Sequence, residues 1–321
     1  MHLLQVGAGS GGIVVLDLVA RDPRVTRVTL VEPDTYKPHN VYRHQFPPAA
    51  VGRLKAELAA EWVREHRPDV IVDPIVADLT DTTWGDVFQD FAHACDVGVC
   101  AVDNEPAKFA FDALMRTAGK PWTLGEVLSG GIGGWVHRFV PGGPCYGCVA
   151  AHLRRNVTEE APAPAPDYSA PGGVVAETTV PASRASIAVI ASLHAAVTLD
   201  VLATIHQPGA NQSVGASPPF PPREGGPGGL GGSARRSTPT GADAATPPPA
   251  PPPEGEGSKP DFSSLLFTLA VVPGVFDAAY RPYRFAVPRA AACLVCAARP
   301  APTGEELDVA LDDALARLGD N

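Results

Sequence analysis

The first 120 residues alternate short aliphatic runs with stretches whose apolar residues recur at helical spacing. The predicted strands lie in "LLQV", "VTRVTLVE", "DVIVDPIV" and "DVGVCAVD", and the predicted helices cover residues 11–20 and about 55–66. Such alternation is typical of parallel strands joined by crossover helices. We therefore expect an α/β fold with a Rossmann-like, doubly wound and mostly parallel sheet.

A long apolar stretch, "IAVIASLHAAVTLDVLATI", begins at Ile187 and can be weighed as a membrane span. His194 and Asp200 would be costly in lipid. Apolar residues recur along it at helical spacing: Ile190, Leu193, Val197 and Val201. We favour a helix buried in the core or at a dimer interface, and expect no membrane partner.

Composition changes sharply after this helix. Much of the excess of 35 prolines and 32 glycines falls within 207–260, which has almost no residue able to enter a core. We expect a disordered insertion there, because strand-like sequence and "CLVC" return within 261–300 and would complete the domain begun by 1–206. Residues 301–321 predict an amphipathic helix with a capping box, packed on its own domain or on a partner.

The charge and the N-terminus restrict partners and location. A net charge of −10 argues against nucleic-acid binding, which relies on clustered Lys and Arg. The first residues have no basic segment of the kind that opens a secretory signal, so we expect a cytoplasmic protein.

A glycine-rich turn, "VGAGSGG", follows the first predicted strand. Gly7, Gly9 and Gly12 have G-x-G-x-x-G spacing and open a helix, so backbone N–H groups can approach a phosphate. Glu32 ends the second predicted strand, where an acid can bind ribose. This pattern indicates an adenine nucleotide or dinucleotide, with a purely structural turn as the alternative.

The residues after Glu32 favour ATP over NAD. Cleavage of ATP needs cations around the phosphates and an acid for magnesium, whereas hydride transfer needs neither. Asn40, Arg43 and Lys55 follow Glu32, and Asp103 closes the predicted strand "DVGVCAVD" at the carboxyl edge of the sheet.

In these motifs the chain resembles the ThiF/HesA/MoeB adenylyltransferases, which are related to ubiquitin-activating enzymes. The matching segments are "GAGSGG", "EPD", "NVYR", "VGRLKA" and "VDN". The resemblance implies an adenylation domain in which Glu32 binds ribose and Asp34 belongs to the nucleotide site. It also implies that Asn40, Arg43 and Lys55 hold the ATP phosphates and that Asp103 carries Mg²⁺.

Two C-x-x-C pairs, Cys145 with Cys148 and Cys293 with Cys296, predict a four-thiolate structural zinc site. Redox disulfides and unpaired thiols are the alternatives. The family resemblance also implies paired cysteines at these places. We interpret Cys95 and Cys100 as core residues.

Three features depart from the family pattern. His44 stands where glutamine is usual, and Glu32 where aspartate is commoner. The sequence begins at its first strand, so we expect the arginine that many relatives send into a neighbouring protomer's ATP site to be missing. No cysteine lies between Cys148 and Ser186; Thr178 or Thr179 then becomes the candidate acceptor of an oxyester, beside the alternative that both are ordinary loop residues.

These observations lead to one functional hypothesis. The chain is expected to be an ATP-dependent adenylyltransferase that activates the C-terminal carboxylate of a small ubiquitin-like or sulfur-carrier protein. We expect a homodimer and consider a downstream conjugating protein. The alternatives are an inactive nucleotide-binding partner subunit and an NAD-dependent dehydrogenase.

Overall fold

The computed structural model describes residues 1–153, 182–206 and 262–297. Eight strands in these ranges form a single sheet in the order β3-β2-β1-β4-β5-β6-β7-β8. The strands are β1 (His2–Val6), β2 (Arg27–Val31), β3 (Ile71–Ile75), β4 (Val97–Cys100), β5 (Trp122–Val127), β6 (Gly133–Phe139), β7 (Ser264–Thr268) and β8 (Pro282–Phe285).

The sheet is parallel in its first half and antiparallel in its second. β3, β2, β1, β4 and β5 pair in parallel, with Leu4 of β1 opposite Thr29 and Gly98, and β6 to β8 add antiparallel strands beyond β5. This confirms the predicted Rossmann-like sheet. The strand order reverses between β1 and β4, and open α/β sheets place their ligands outside the carboxyl ends of the strands at such a point.

Six α-helices in the described residues cover the sheet. They are α1 (Gly12–Ala20), α2 (Lys55–His66), α3 (Gly85–Ala94), α4 (Glu105–Thr117), α5 (Tyr146–His152) and α6 (Arg184–His206). The two faces of the sheet carry different helices. Leu3 lies in a core with α1, α2 and α6, whereas Leu4 lies in a core with α3, α4 and α5. Because β1 is covered on both faces, its sequence is apolar except for His2 at its start and Gln5.

Helix α6 packs against α1, β5 and β6. It is long and apolar enough to cross a membrane by length and composition, and half of its most apolar window is buried in the protein. His194 in its middle is buried, with its Nε2 3.0 Å from Thr123 Oγ1 of β5. Gly125 makes this possible, since a Cβ there would lie 2.5 Å from His194 Nδ1. These contacts support the core-helix interpretation.

Two predicted segments lie outside the described residues. They are the proline- and glycine-rich insertion over 207–260 and the C-terminal helix over 301–321. The boundaries of these segments therefore stay predictions.

Candidate functional site

The glycine turn links β1 to α1 at the carboxyl edge of the sheet. Gly7 has φ +96°, and a Cβ there would meet the Ala101 carbonyl oxygen at 2.4 Å. A Cβ at Gly12 would approach the Gly7 carbonyl equally closely, at 2.4 Å. Both positions therefore require glycine, whereas Gly9 has open space around it. The turn leaves room for a ligand above the N-terminus of α1.

Glu32 lies at the end of β2 and is buried beneath this turn. Its carboxylate accepts hydrogen bonds from the backbone N–H groups of Ala8, at 2.6 Å, and Asp34, at 2.9 Å. Burial raises the pKa of Glu32, although Lys55 and the two N–H donors oppose that effect. A carboxylate has about four acceptor sites, so it can still accept a hydroxyl.

Lys55 begins α2 and points back to the acids after β2. Its Nζ lies 2.7 Å from Asp34 Oδ2 and 4.0 Å from Glu32 Oε1. Its side chain is only 9% exposed, whereas that of Asp34 is 55% exposed. The structure therefore brings together Glu32, Asp34 and Lys55, and their roles toward a nucleotide stay predictions.

Asn40 and Arg43 lie in a short turn that follows β2. Asn40 is buried, and its Oδ1 accepts a hydrogen bond from the backbone N–H of Lys37, at 2.9 Å. The backbone N–H groups of Arg43 and His44 both donate to the Asn40 carbonyl. This arrangement fixes the backbone of Arg43, which is half-buried and directly precedes His44.

His44 joins that turn to the glycine turn. Its Nε2 lies 3.0 Å from the Ala8 carbonyl oxygen and must donate, because a carbonyl only accepts. Its Nδ1 is buried and has no hydrogen-bond partner among the described residues. Burial, helped by the charges of Lys55, Arg184 and Arg43, lowers the pKa of His44 to about 4. The histidine at this position is therefore uncharged at neutral pH, and its hydrogen bond links this turn to the glycine turn.

Asp103 corrects one detail of the prediction. β4 ends at Cys100, so Asp103 lies three residues beyond the strand in the loop to α4 rather than closing the strand. The loop turns because Asn104 caps α4 through its side-chain oxygen and the Ala107 N–H, at 2.9 Å. Asp103 is exposed at the carboxyl edge, next to the glycine turn that contacts Ala101.

The sequence did not predict a polar network that begins in the first turn of α4 and extends into the sheet. Lys108 of α4 donates to Glu105 Oε1, at 2.7 Å, and to Glu126 Oε1 of β5, at 2.6 Å. Glu126 Oε2 lies 3.1 Å from His137 Nε2, whose Nδ1 lies 2.9 Å from Ser264 Oγ. The network joins α4 to three strands, and no local sequence pattern marks it.

The four paired cysteines converge at α5 and the 293–296 turn. Their sulfur atoms all lie within 4.8 Å of one another, and all four residues are buried. Cys145 Sγ is 3.7 Å from Cys148 Sγ and 3.6 Å from Cys293 Sγ, and Cys148 Sγ is 3.5 Å from Cys296 Sγ. Thiolates at about 2.3 Å from a tetrahedral zinc lie roughly 3.8 Å apart. The donor set therefore fits Zn²⁺.

The structure describes the two remaining cysteines but not the candidate oxyester acceptors. Cys95 and Cys100 are fully buried, and burial raises the pKa of each thiol to about 12, as expected of core residues. Thr178 and Thr179 lie outside the described residues, so a role for either as acceptor stays a prediction.

The chain matches the model of a known protein family. Residues 1–218 match the ThiF family. The chain belongs to the ThiF family. This confirms the resemblance stated from the motifs.

Named relatives match over part of the chain. The SAMP-activating enzyme E1 of Haloferax volcanii is 31% identical over 149 residues, which are 46% of this chain and 53% of that protein. The ubiquitin-like modifier-activating enzyme 5 of Arabidopsis thaliana is 24% identical over 157 residues, 45% of this chain and 36% of that protein. The chain thus matches about half or less of the length of these relatives.

Solved structures of E. coli MccB share the fold. One, with succinimide, has a TM-score of 0.55 and 14% identity, and the match covers 92% of this chain and 66% of MccB. Another, with ATP, has a TM-score of 0.54 and 14% identity over the same shares.

Proposed function

We propose that this protein is an ATP-dependent adenylyltransferase that activates a carboxylate by forming an acyl-adenylate and pyrophosphate. One observation carries the proposal: a ThiF-family chain gathers a phosphate-type glycine turn, a ribose-type acid, Lys55, Arg43 and Asp103 at one edge of the sheet. The activating-enzyme names of its relatives support this activity. The family assignment favours it over the NAD-dependent dehydrogenase.

The site residues divide the work of binding ATP. The glycine turn and the N-terminus of α1 approach the phosphates, Glu32 accepts from ribose, and Asn40, Arg43 and Lys55 contact phosphate oxygens. Lys55 is paired with Asp34 at 2.7 Å, so phosphate oxygens must compete with Asp34 for its ammonium group. Asp103 would hold Mg²⁺, which supplies positive charge to the phosphates.

The reaction needs no general base on the protein. A C-terminal carboxyl group has a pKa of roughly 3.5 and is ionised at neutral pH. One carboxylate oxygen forms a bond to the α-phosphorus while the bond from that phosphorus to the β-phosphate oxygen breaks, and pyrophosphate leaves. The contribution of Arg43 and Lys55 is to hold the groups in line and stabilise the growing negative charge.

We also propose the partner and the metal. The substrate is the C-terminal carboxylate of a small ubiquitin-like or sulfur-carrier protein, supported by the names of the relatives. Zn²⁺ bound by Cys145, Cys148, Cys293 and Cys296 has a structural role. A homodimer, a downstream conjugating protein and a cytoplasmic location stay expectations.

The test is nucleotide binding followed by pyrophosphate exchange. We expect calorimetry to detect binding of ATP with Mg²⁺ and not of NAD. With a carboxylate substrate, Asp103→Asn and Lys55→Met should each slow exchange of labelled pyrophosphate into ATP by about a hundredfold or more, because each removes a preorganised charge. Asp90→Asn, an exposed acid on α3, is the control and should exchange normally.

Two results would contradict the proposal. Tight binding of NAD without binding of ATP would favour the NAD-dependent dehydrogenase. The second result is ATP binding without pyrophosphate exchange when a small protein that ends in Gly-Gly, from a gene next to the gene of this chain, is supplied. That result would favour the inactive partner subunit.

A further inference from the structure

Arg184 is a cation that the motif analysis did not include. It is the first residue of α6, and its side chain is exposed. Its Nη1 donates to the backbone carbonyl of His44, the residue directly after Arg43. The guanidinium has five N–H donors, so most of them stay available for other acceptors.

The first turn of α6 lies against the glycine turn. Ile187, three residues after Arg184, is the closest neighbour of a Cβ placed at Gly11, at 3.7 Å. Helices α1 and α6 then pack along each other. The fold therefore carries Arg184 to the end of α1 where the phosphates of a bound nucleotide would lie.

Arg184 shares its surroundings with the two cations of the motifs. The charges of Lys55, Arg184 and Arg43 all lie near enough to His44 to lower its pKa. His44 itself contacts the glycine turn through Ala8, at 3.0 Å. Three positive side chains thus lie near one buried histidine that contacts the turn.

We propose that Arg184 is a third phosphate-binding cation of this site, supplied by the same chain from the start of α6. This inference rests on the proposed function, since it takes ATP as the ligand. A guanidinium can bind two phosphate oxygens at once, whereas Lys55 binds as a point charge. The His44 carbonyl holds Arg184 in place, and this reduces the ordering that nucleotide binding has to impose.

The test compares ATP with adenosine, which has the same base and ribose but no phosphate. Arg184→Met should weaken ATP binding by about tenfold or more, because it removes one charge-assisted hydrogen bond to phosphate. Adenosine binding should be unchanged. Arg184→Lys should recover part of the ATP affinity because it keeps the charge. Arg27→Met is the matched control, since Arg27 begins β2 at the opposite edge of the sheet. Calorimetry of the full chain with Mg²⁺ measures the affinity of each protein for ATP and for adenosine.

The outcomes separate this inference from the proposed function. Wild-type protein that binds no ATP would overturn both. Equal ATP affinity in wild type and Arg184→Met, with ATP binding intact, would overturn the role of Arg184 alone. A parallel loss of ATP and adenosine binding would also overturn it, because the residue would then only support the fold of the site.

Discussion

Buried histidines connect single residues to the stability of the whole chain. His44 and His194 are each 1% exposed, and burial is the main cause that lowers the pKa of each to about 4. An unfolded histidine has a pKa of about 6.5, so the unfolded state binds more protons between these two values. The contribution of these two histidines to the free energy of unfolding is therefore fully present above pH 6.5 and is lost as the pH falls towards 4.

We predict that urea unfolding at pH 5 gives a free energy lower than at pH 7, by on the order of 2 kcal/mol for each of these histidines. His194→Gln should reduce this pH dependence by about one histidine's share, whatever its effect at pH 7. His66→Gln, at an exposed position on α2, is the control and should keep the wild-type pH dependence. The same slope in all three proteins would show that His194 does not contribute to this pH dependence.

At the scale of elements, Lys108 fastens α4 to the sheet. It is 4% exposed and bonds Glu105 of its own helix and Glu126 of β5. Burial alone would lower its pKa, but the charge of Glu126 and the bonds to both acids outweigh it and raise the pKa. Lys108→Met should cost about 3–5 kcal/mol of unfolding free energy, because Glu126 loses its cation in a mostly buried place.

The control is an exposed ion pair on another helix. Arg21 of the α1 C-cap pairs with Asp17 at 2.7 Å with a side chain 45% exposed. Arg21→Met should cost less than about 1 kcal/mol in the same denaturation measurement. If Lys108→Met costs no more than this control, the buried network does not hold α4 in place.

Helix α4 also shows which elements could not be predicted from the sequence. The aliphatic runs located β1 to β4 because parallel strands covered on both faces need apolar residues throughout. α4 was not predicted, since Lys108 and Asp112 occupy its buried face beside Phe111 and Met115 and interrupt the apolar pattern. Its partners Glu126 and His137 lie on other strands, so only the fold reveals the network.

The nucleotide motifs were predictable because they lie in the turn after β1, in the segment from the end of β2 to the start of α2, and in the loop after β4. Arg184 was not, because its place beside His44 depends on contacts between residues 140 apart in sequence. The position of Asp103 beyond the end of β4 was also missed, since the run "VGVCAVD" stays apolar after the last strand pairing at Cys100.

At the scale of the whole molecule, the four cysteines join the end of the described chain to its middle. Each sulfur contact between the two C-x-x-C pairs joins residues that are 148 positions apart in sequence. Backbone N–H groups of Ala290 and Val295 donate to Cys148 Sγ and Cys293 Sγ, both at 3.4 Å, as expected of supporting contacts around a metal. Zinc binding here would contribute directly to folding, because an unfolded chain has no preformed site.

We therefore predict one zinc per chain by elemental analysis of protein purified without chelator. Cys148→Ser and Cys296→Ser should each lose the metal and lower the melting temperature, since a hydroxyl replaces a thiolate ligand. Cys95→Ala is the matched control: it removes a buried thiol outside the cluster, so it should keep one zinc even if its cavity lowers stability. Chelator should lower the melting temperature of Cys95→Ala as it does in wild type, and have no further effect on Cys296→Ser. Wild-type protein without zinc, or a chelator effect that persists unchanged in Cys296→Ser, would mean that the four thiols serve another purpose, with redox pairing the first alternative to test.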